Sequence, residues 1–382
     1  MEIDSRLMSG RHTGTADLPL HQGKAPQWLM KRMVMLSRGI TQIIVDEYGP
    51  DELLRRVSNP LWFQAFSCVL GFDWHSSGTT TTTCGALKSA LTPETHGIYI
   101  AGGKGVKSIA TPEEIASANL DPAVSGILTR ASRMSAKVDS ACVQDGFSLY
   151  HHTFFFTEDG KWAVVQQGMN PHLKMARRYH WLSEGVHSFV DEPHSGICCD
   201  ATLDAVLDLT SRENESVRKC SIDLIKDHPI HIRKYLTRRG FQSSLSDFRD
   251  DRETVYLIMP ERHEILEPID ISDRGFQVLK KLYELNPSSY EEVVSYRGAG
   301  AKLLRALALV SNLIYGCGIS WKDTAIYSFA HGGKDGIPFP VDRKTYDTTI
   351  QTIYSAIQDA RIDKKEKTLA LKRLSAWVDN YR

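Results

Sequence analysis

Apolar residues recur along this chain in three regimes. From Gln27 they fall at helical spacing, with Leu29, Met33, Leu36, Ile40, Ile43 and Ile44 on one stripe of "QWLMKRMVMLSRGITQIIVDEYG". Gly49-Pro50 stops that helix, Asp51 is placed to cap "ELLRRVSN", and a buried helix is expected after Pro60. The five threonines 79–83 then resist helix and predict extended backbone. They read either as a tight loop packed on its own domain or as a loop whose hydroxyls and N–H groups hold phosphate.

Residues 97–170 change period. "HGIYIAGGKG" reads as a short strand ending in a glycine loop. "FSLYHHTFFF" and "KWAVVQQGM" are aromatic and β-branched runs joined through Glu158-Asp159-Gly160, which predicts a β-hairpin over 147–169. Helical spacing returns after residue 200. Polar, charged and proline-containing sequence over 241–272 reads as a linker, and from Asp273 onward the pattern is helical apart from one long loop. The expected fold is α+β. An arm over 1–26 leads into a domain over 27–240 with N-terminal helices and a mixed or antiparallel sheet; an all-α domain over 273–382 follows the linker.

Composition narrows the class. With 382 residues, 42% hydrophobic and 24% charged, the chain can bury a sizeable core, and no apolar run is long enough to span a membrane. No leader-like N-terminal layout is seen, so a cytoplasmic protein with no membrane partner is expected. None of the seven cysteines forms a C-x-x-C pair, and all seven are expected to be reduced. Net charge is zero, but residues 274–382 hold 17 Lys and Arg against 11 Asp and Glu, whereas 1–273 hold 29 against 35. A phosphate-binding surface is therefore expected toward the C-terminal end.

The chemistry-bearing stretch lies there. In "NPSSYEEVVSYRGAGAKLLRALALVSNLIYG", Ser288 or Ser289 caps a short helix, Gly298 and Gly300 allow a tight turn, and Ala301 begins a second helix. Such a hairpin aims the second helix's free N–H groups outward and suits a nucleic-acid phosphate; the equally weighted alternative is a corner where glycine only permits close packing. Arg297, Gly298, Gly300, Ala301, Lys302 and Arg305, with Lys334, Arg343 and Lys344 further on, form the expected contact set. The segment resembles the helix-hairpin-helix of DNA repair glycosylases, which typically reads L-P-G-V-G-x-K-T-A. Gly298, Gly300 and Lys302 match its glycines and lysine; Ala299 and Leu303-Leu304 depart from it. "PFPVDRKTYD" offers Val341-Asp342 where that superfamily carries an aspartate, at a longer interval of 40 residues from Lys302. The resemblance implies a glycosylase or lyase acting on damaged or double-stranded DNA without a cofactor, with Lys302 attacking the sugar C1′ and Asp342 stabilising the developing positive charge. The chain as a whole also resembles an uncharacterised family, domain of unknown function 763, through "GFDWHSSG", "LYHH", "VVQQGM" and "AHGGKDG", which implies no activity.

Two alternatives stay open. A metal-dependent nuclease would use carboxylates of the sheet domain to hold Mg²⁺ or Mn²⁺, with Asp139, Asp145, His151 and Gln166 as the candidate site and Lys137 and Glu158 near in sequence. His151 and His152 point to opposite faces of their strand, so at most one shares a site. A non-catalytic DNA-binding protein is the other.

Overall fold

The computed structural model describes residues 27–71, 78–199, 203–236, 271–325 and 343–381. The arm expected over 1–26, nearly all of the expected linker, Lys334 and Asp342 lie outside the described residues.

Four helices open the fold: α1 (Gln27–Tyr48), α2 (Pro50–Ser58), α3 (Pro60–Leu70) and α4 (Gly78–Ala90). On α1 the stripe Met33, Leu36, Ile40 and Ile44 is buried, as its spacing requires. Helix α2 starts two residues earlier than expected: Gly49 is its N-cap and Asp51 sits in the first turn, where it pairs with Lys161. Helix α3 is apolar almost all round and every residue in it is buried. Asn59 caps it by accepting from Trp62 N at 3.0 Å, and Gly71 ends it in the left-handed conformation.

The threonine run corrects the sequence expectation, for it lies inside α4. Thr79, Thr80 and Thr83 are buried. Thr83 Oγ1 donates to Ser67 Oγ at 3.0 Å, and Thr80 reaches Gln167 of the sheet. A β-branched residue loses only a few tenths of a kcal/mol in a helix, so burial and these bonds outweigh local preference.

After α5 (Pro93–His96) come β1 (Tyr99–Lys104), α6 (Val106–Ile109), α7 (Thr111–Ala116) and the long α8 (Pro122–Ala141), then β2 (Val143–Gln144), β3 (Ser148–Phe156), β4 (Trp162–Asn170), β5 (Met175–Leu182), β6 (His194–Cys198) and β7 (Leu207–Asp208). Five strands form one antiparallel sheet in the order β1-β3-β4-β5-β6, and β2 pairs with β7. The expected hairpin is present: Phe156 faces Trp162, Thr157 N donates to Lys161 O at 3.0 Å, and Gly160 takes φ +90°.

Both sheet faces are covered. Phe154, Phe156, Trp162, Val164 and Trp181 share a core with α8, with α9 (Glu215–Lys226), and with α11 (Asp273–Leu285), α12 (Tyr290–Ser295) and α13 (Ala301–Tyr315), which follow α10 (Pro229–Leu236). Phe155, Ala163 and Val165 point the other way. They share a second core with α1 to α4 and with α14 (Arg343–Asp359) and α15 (Lys364–Tyr381). The C-terminal helices are thus divided between two layers, α11–α13 on one side of the sheet and α14–α15 on the other. No described helix is long and apolar enough to cross a membrane. The cysteine expectation is corrected as well: Cys220 of α9 and Cys317 after α13 form a disulfide, and the other five are buried thiols. The partners lie 97 residues apart, beyond anything that local spacing encodes.

Candidate nucleic-acid interface

Helix α12 is built to end early. Ser289 caps it by accepting from Glu292 N at 3.2 Å, and the Glu292 carboxylate accepts from Ser288 N at 2.8 Å and Ser288 Oγ at 2.7 Å. Those bonds hold the Glu292 carboxyl below its usual range. The chain then turns at Gly298, whose φ of +102° suits glycine, and a Cβ there would lie 2.9 Å from Val278 Cγ2 on α11. Ala299 N closes the turn onto Tyr296 O at 3.1 Å, and the Ala299 side chain is buried in the apolar slot between the two glycines.

Gly300 is the N-cap of α13 and provides no side-chain cap. Leu304 N makes the bond back to Gly300 O, at 3.1 Å, so the N–H groups of Ala301, Lys302 and Leu303 precede the helix's own ladder. Arg297 and Lys302 flank this end, both exposed. The hairpin is locked from behind: Gln144 Nε2 donates to Ala301 O at 2.9 Å, and Arg305 Nη1 donates to Gln144 Oε1 at 3.1 Å. Arg305 therefore departs from the expected contact set. It turns inward, is buried, and burial lowers its pKa. Arg343 and Lys344 begin α14, which shares its core with the opposite helical layer.

The residues of the alternative site are divided among several hydrogen-bonded groups of the sheet domain. Asp139 and Gln166 do meet, with Gln166 Nε2 donating to Asp139 Oδ2 at 2.6 Å. The same carboxylate accepts from Trp181 Nε1 at 3.0 Å and bonds His194 Nε2 at 2.6 Å. Behind Gln166, its Oε1 accepts from His152 Nδ1 at 2.9 Å, which leaves His152 Nε2 to accept from Ser132 Oγ at 2.9 Å. Burial raises the Asp139 pKa against the pull of His194, and drives His152 down to about 4, so that ring is neutral. Burial also opposes charge on His194, but Asp139 outweighs it and raises the His194 pKa. This Ser132–His152–Gln166–Asp139–His194 chain fastens α8 to the sheet.

Asp145 has its own hydrogen-bond partners but lies close by, since both it and Asp139 favour charge on His194. It accepts from Tyr179 Oη at 2.6 Å, Phe147 N at 3.0 Å and Arg177 Nη1 at 3.2 Å, and Arg177 also grips Asp323 at 3.0 and 2.7 Å. Burial pushes Asp145 up to about 6 although Arg177 opposes it. His151 faces the other layer, bonded to Thr153 Oγ1 at 2.8 Å, and burial takes it down to about 3. The opposite orientation of His151 and His152 is as their adjacency on a strand requires. Lys137 is half-buried, which lowers its pKa, and Glu158 is exposed in the hairpin turn. Among the described residues no group of three or more His, Cys, Asp and Glu side chains is placed to hold a metal ion.

Sequence reasoning missed Ser132, Trp181 and His194 around Asp139, and Asp323 around Arg177. A further link, from His152 to Gln166, was within reach. Counting back from the Glu158-Asp159-Gly160 turn pairs Phe156 with Trp162 and hence His152 with Gln166. His194 and Asp323 left no such trace, being 55 and 146 residues from the groups they bind.

A family model described as "Protein of unknown function (DUF763)" matches residues 14–341. No curated protein and no solved structure matches the chain. The match extends over most of the sequence, and the chain belongs to the DUF763 family.

Proposed function

We propose that the protein is a DNA-binding, nucleic-acid-processing enzyme that grips the sugar–phosphate backbone with the hairpin at 297–302. The observation that carries this reading is the uncapped N-terminus of α13, presented behind a positive-φ glycine turn and flanked by exposed Arg297 and Lys302. Three N–H groups and the positive end of a 15-residue helix lie at this turn, and two exposed cations stand beside them in sequence, a combination suited to a phosphate. The net positive charge of 274–382 favours the same partner.

Glycosylase or lyase chemistry rests on the resemblance to the helix-hairpin-helix superfamily. In that reading the Lys302 amine attacks the deoxyribose C1′, the bond to the base breaks, and Asp342 stabilises the positive charge that develops at the sugar. The nucleophile must be neutral, whereas Lys302 is exposed and Arg305, the cation one turn on, is engaged with Gln144. The position of Lys302 favours phosphate contact as its first role.

Two measurements test the reading. Binding of duplex DNA, followed by fluorescence anisotropy against salt, should weaken by roughly tenfold in Lys302→Gln, with the salt slope reduced by about one phosphate contact. Unchanged affinity and slope would sink the hairpin reading. Borohydride trapping on abasic-site DNA should yield a covalent adduct that Lys302→Ala abolishes if the lyase step operates; absence of an adduct removes that step and leaves the grip.

A further inference from the structure

We propose that the groove beside the hairpin carries a single-stranded nucleic-acid segment that leaves the gripped phosphate and runs along α8. This inference rests on the hairpin reading and extends it.

The groove has a volume of about 690 Å³ and runs from Ala116, at the end of α7, to Ser295, at the end of α12. Ser295 stands two residues before Arg297, so this end of the groove is next to the hairpin along the chain. Its α8 wall carries Ser125, Thr129 and Arg133, spaced four residues apart and therefore aligned in one row along the helix. Among the described residues the Ser125 and Thr129 side chains meet no hydrogen-bond partner, and the exposed Arg133 meets neither a hydrogen-bond nor an ion-pair partner. No carboxylate is among the lining residues.

Arg130, also on this wall, is committed elsewhere. Its guanidinium pairs with Glu291 and lies 5.5 Å over the Phe189 ring. That pair, together with the bond from Phe189 N to Glu291 Oε2 at 3.3 Å, engages the carboxylate of α12 next to the groove. The free cation of the row is Arg133.

Hydroxyl donors, one free guanidinium and small apolar patches such as Leu120 and Met134 match the phosphates and sugars of a strand. No aromatic side chain lines the groove, so bases find no stacking platform there and recognition is of the backbone. A duplex presents a convex cylinder, whereas a single strand can lie between α8 and the end of α12. From Pro122 to Met134 α8 advances about 18 Å, enough for a few nucleotides of an extended, unstacked strand.

The test is anisotropy of the full chain with a duplex bearing single-stranded tails from zero to about ten nucleotides long. Affinity should rise roughly tenfold over the first few nucleotides and then level off. Arg133→Gln should bring the ratio of tailed to tail-less affinity down to about one, while circular dichroism shows the fold kept. A wild-type ratio of one, or a ratio that Arg133→Gln leaves intact, overturns the groove while the hairpin stands. If Lys302→Gln leaves tail-less duplex binding untouched but Arg133→Gln removes the tail effect, the groove stands and the hairpin reading falls. No binding of any DNA overturns both.

Discussion

Gly298 shows how much one backbone conformation decides. At φ +102°, with Val278 only 2.9 Å from where a Cβ would be, Gly298→Ala must strain the turn or push α11 aside. The expected loss is about 1–3 kcal/mol, read as a lower denaturation midpoint. Gly300 has φ −105° and a Cβ there would find no atom closer than 4.0 Å, so Gly300→Ala should lose clearly less. Asp139 tests the opposite kind of residue. Removing its carboxylate orphans buried donors on Gln166, Trp181 and His194 together, so Asp139→Ala should destabilise by about 3–5 kcal/mol in urea unfolding. A loss of activity without loss of stability would return Asp139 to the list of catalytic carboxylates.

Among the elements, the β3–β4 hairpin and the α12–α13 hairpin were legible because each is encoded within a few residues. Alternation marks the strands, Asp159-Gly160 marks one turn, and Ser289 with Gly298 marks the other. Helix α4 was not legible, since the threonines' local preference runs against a helix and their environment was unknown. The same contrast supplies a test. Thr82 is half-buried and its side chain meets no hydrogen-bond partner among the described residues, so Thr82→Ala should raise stability by about 0.5 kcal/mol if the segment is helical. An extended segment would lose stability with the same substitution.

For the whole molecule, the buried histidines govern the response to acid. His151 and His152, at about 3 and about 4, and His96 and His180, also lowered by burial, are neutral when folded and titrate near 6.5 when unfolded. The unfolded chain therefore binds more protons below about pH 6.5, and stability present above that pH is lost as pH falls toward the folded values. Raised Asp145 and Asp139 act in the opposite sense, since their contribution is full at low pH and is lost as pH rises through their folded pKa values. His194, likewise raised, contributes below about 6.5 and loses that contribution as pH rises through its folded value. Four depressed histidines outnumber two raised carboxyls, so the urea midpoint should fall from pH 6.5 to pH 4.5. The limiting slope is about 1.4 kcal/mol per pH unit for each net proton. A flat midpoint over this range would show that the histidines are solvated.

By itself the sequence determined the α+β class, the central β-hairpin with its face parity, and the glycine turn opening α13, because each follows from spacings of two to four residues. Only the tertiary structure decided that α11–α13 and α14–α15 cover opposite faces of the sheet. It also decided that Asp139 and Asp145, six residues apart, bind different buried partners, and that Arg305 turns inward while Lys302 stays outside. These outcomes depend on strand order and on which helix covers which face. Burial then assigns each polar group the partner that desolvation demands, and that partner is seldom near in sequence.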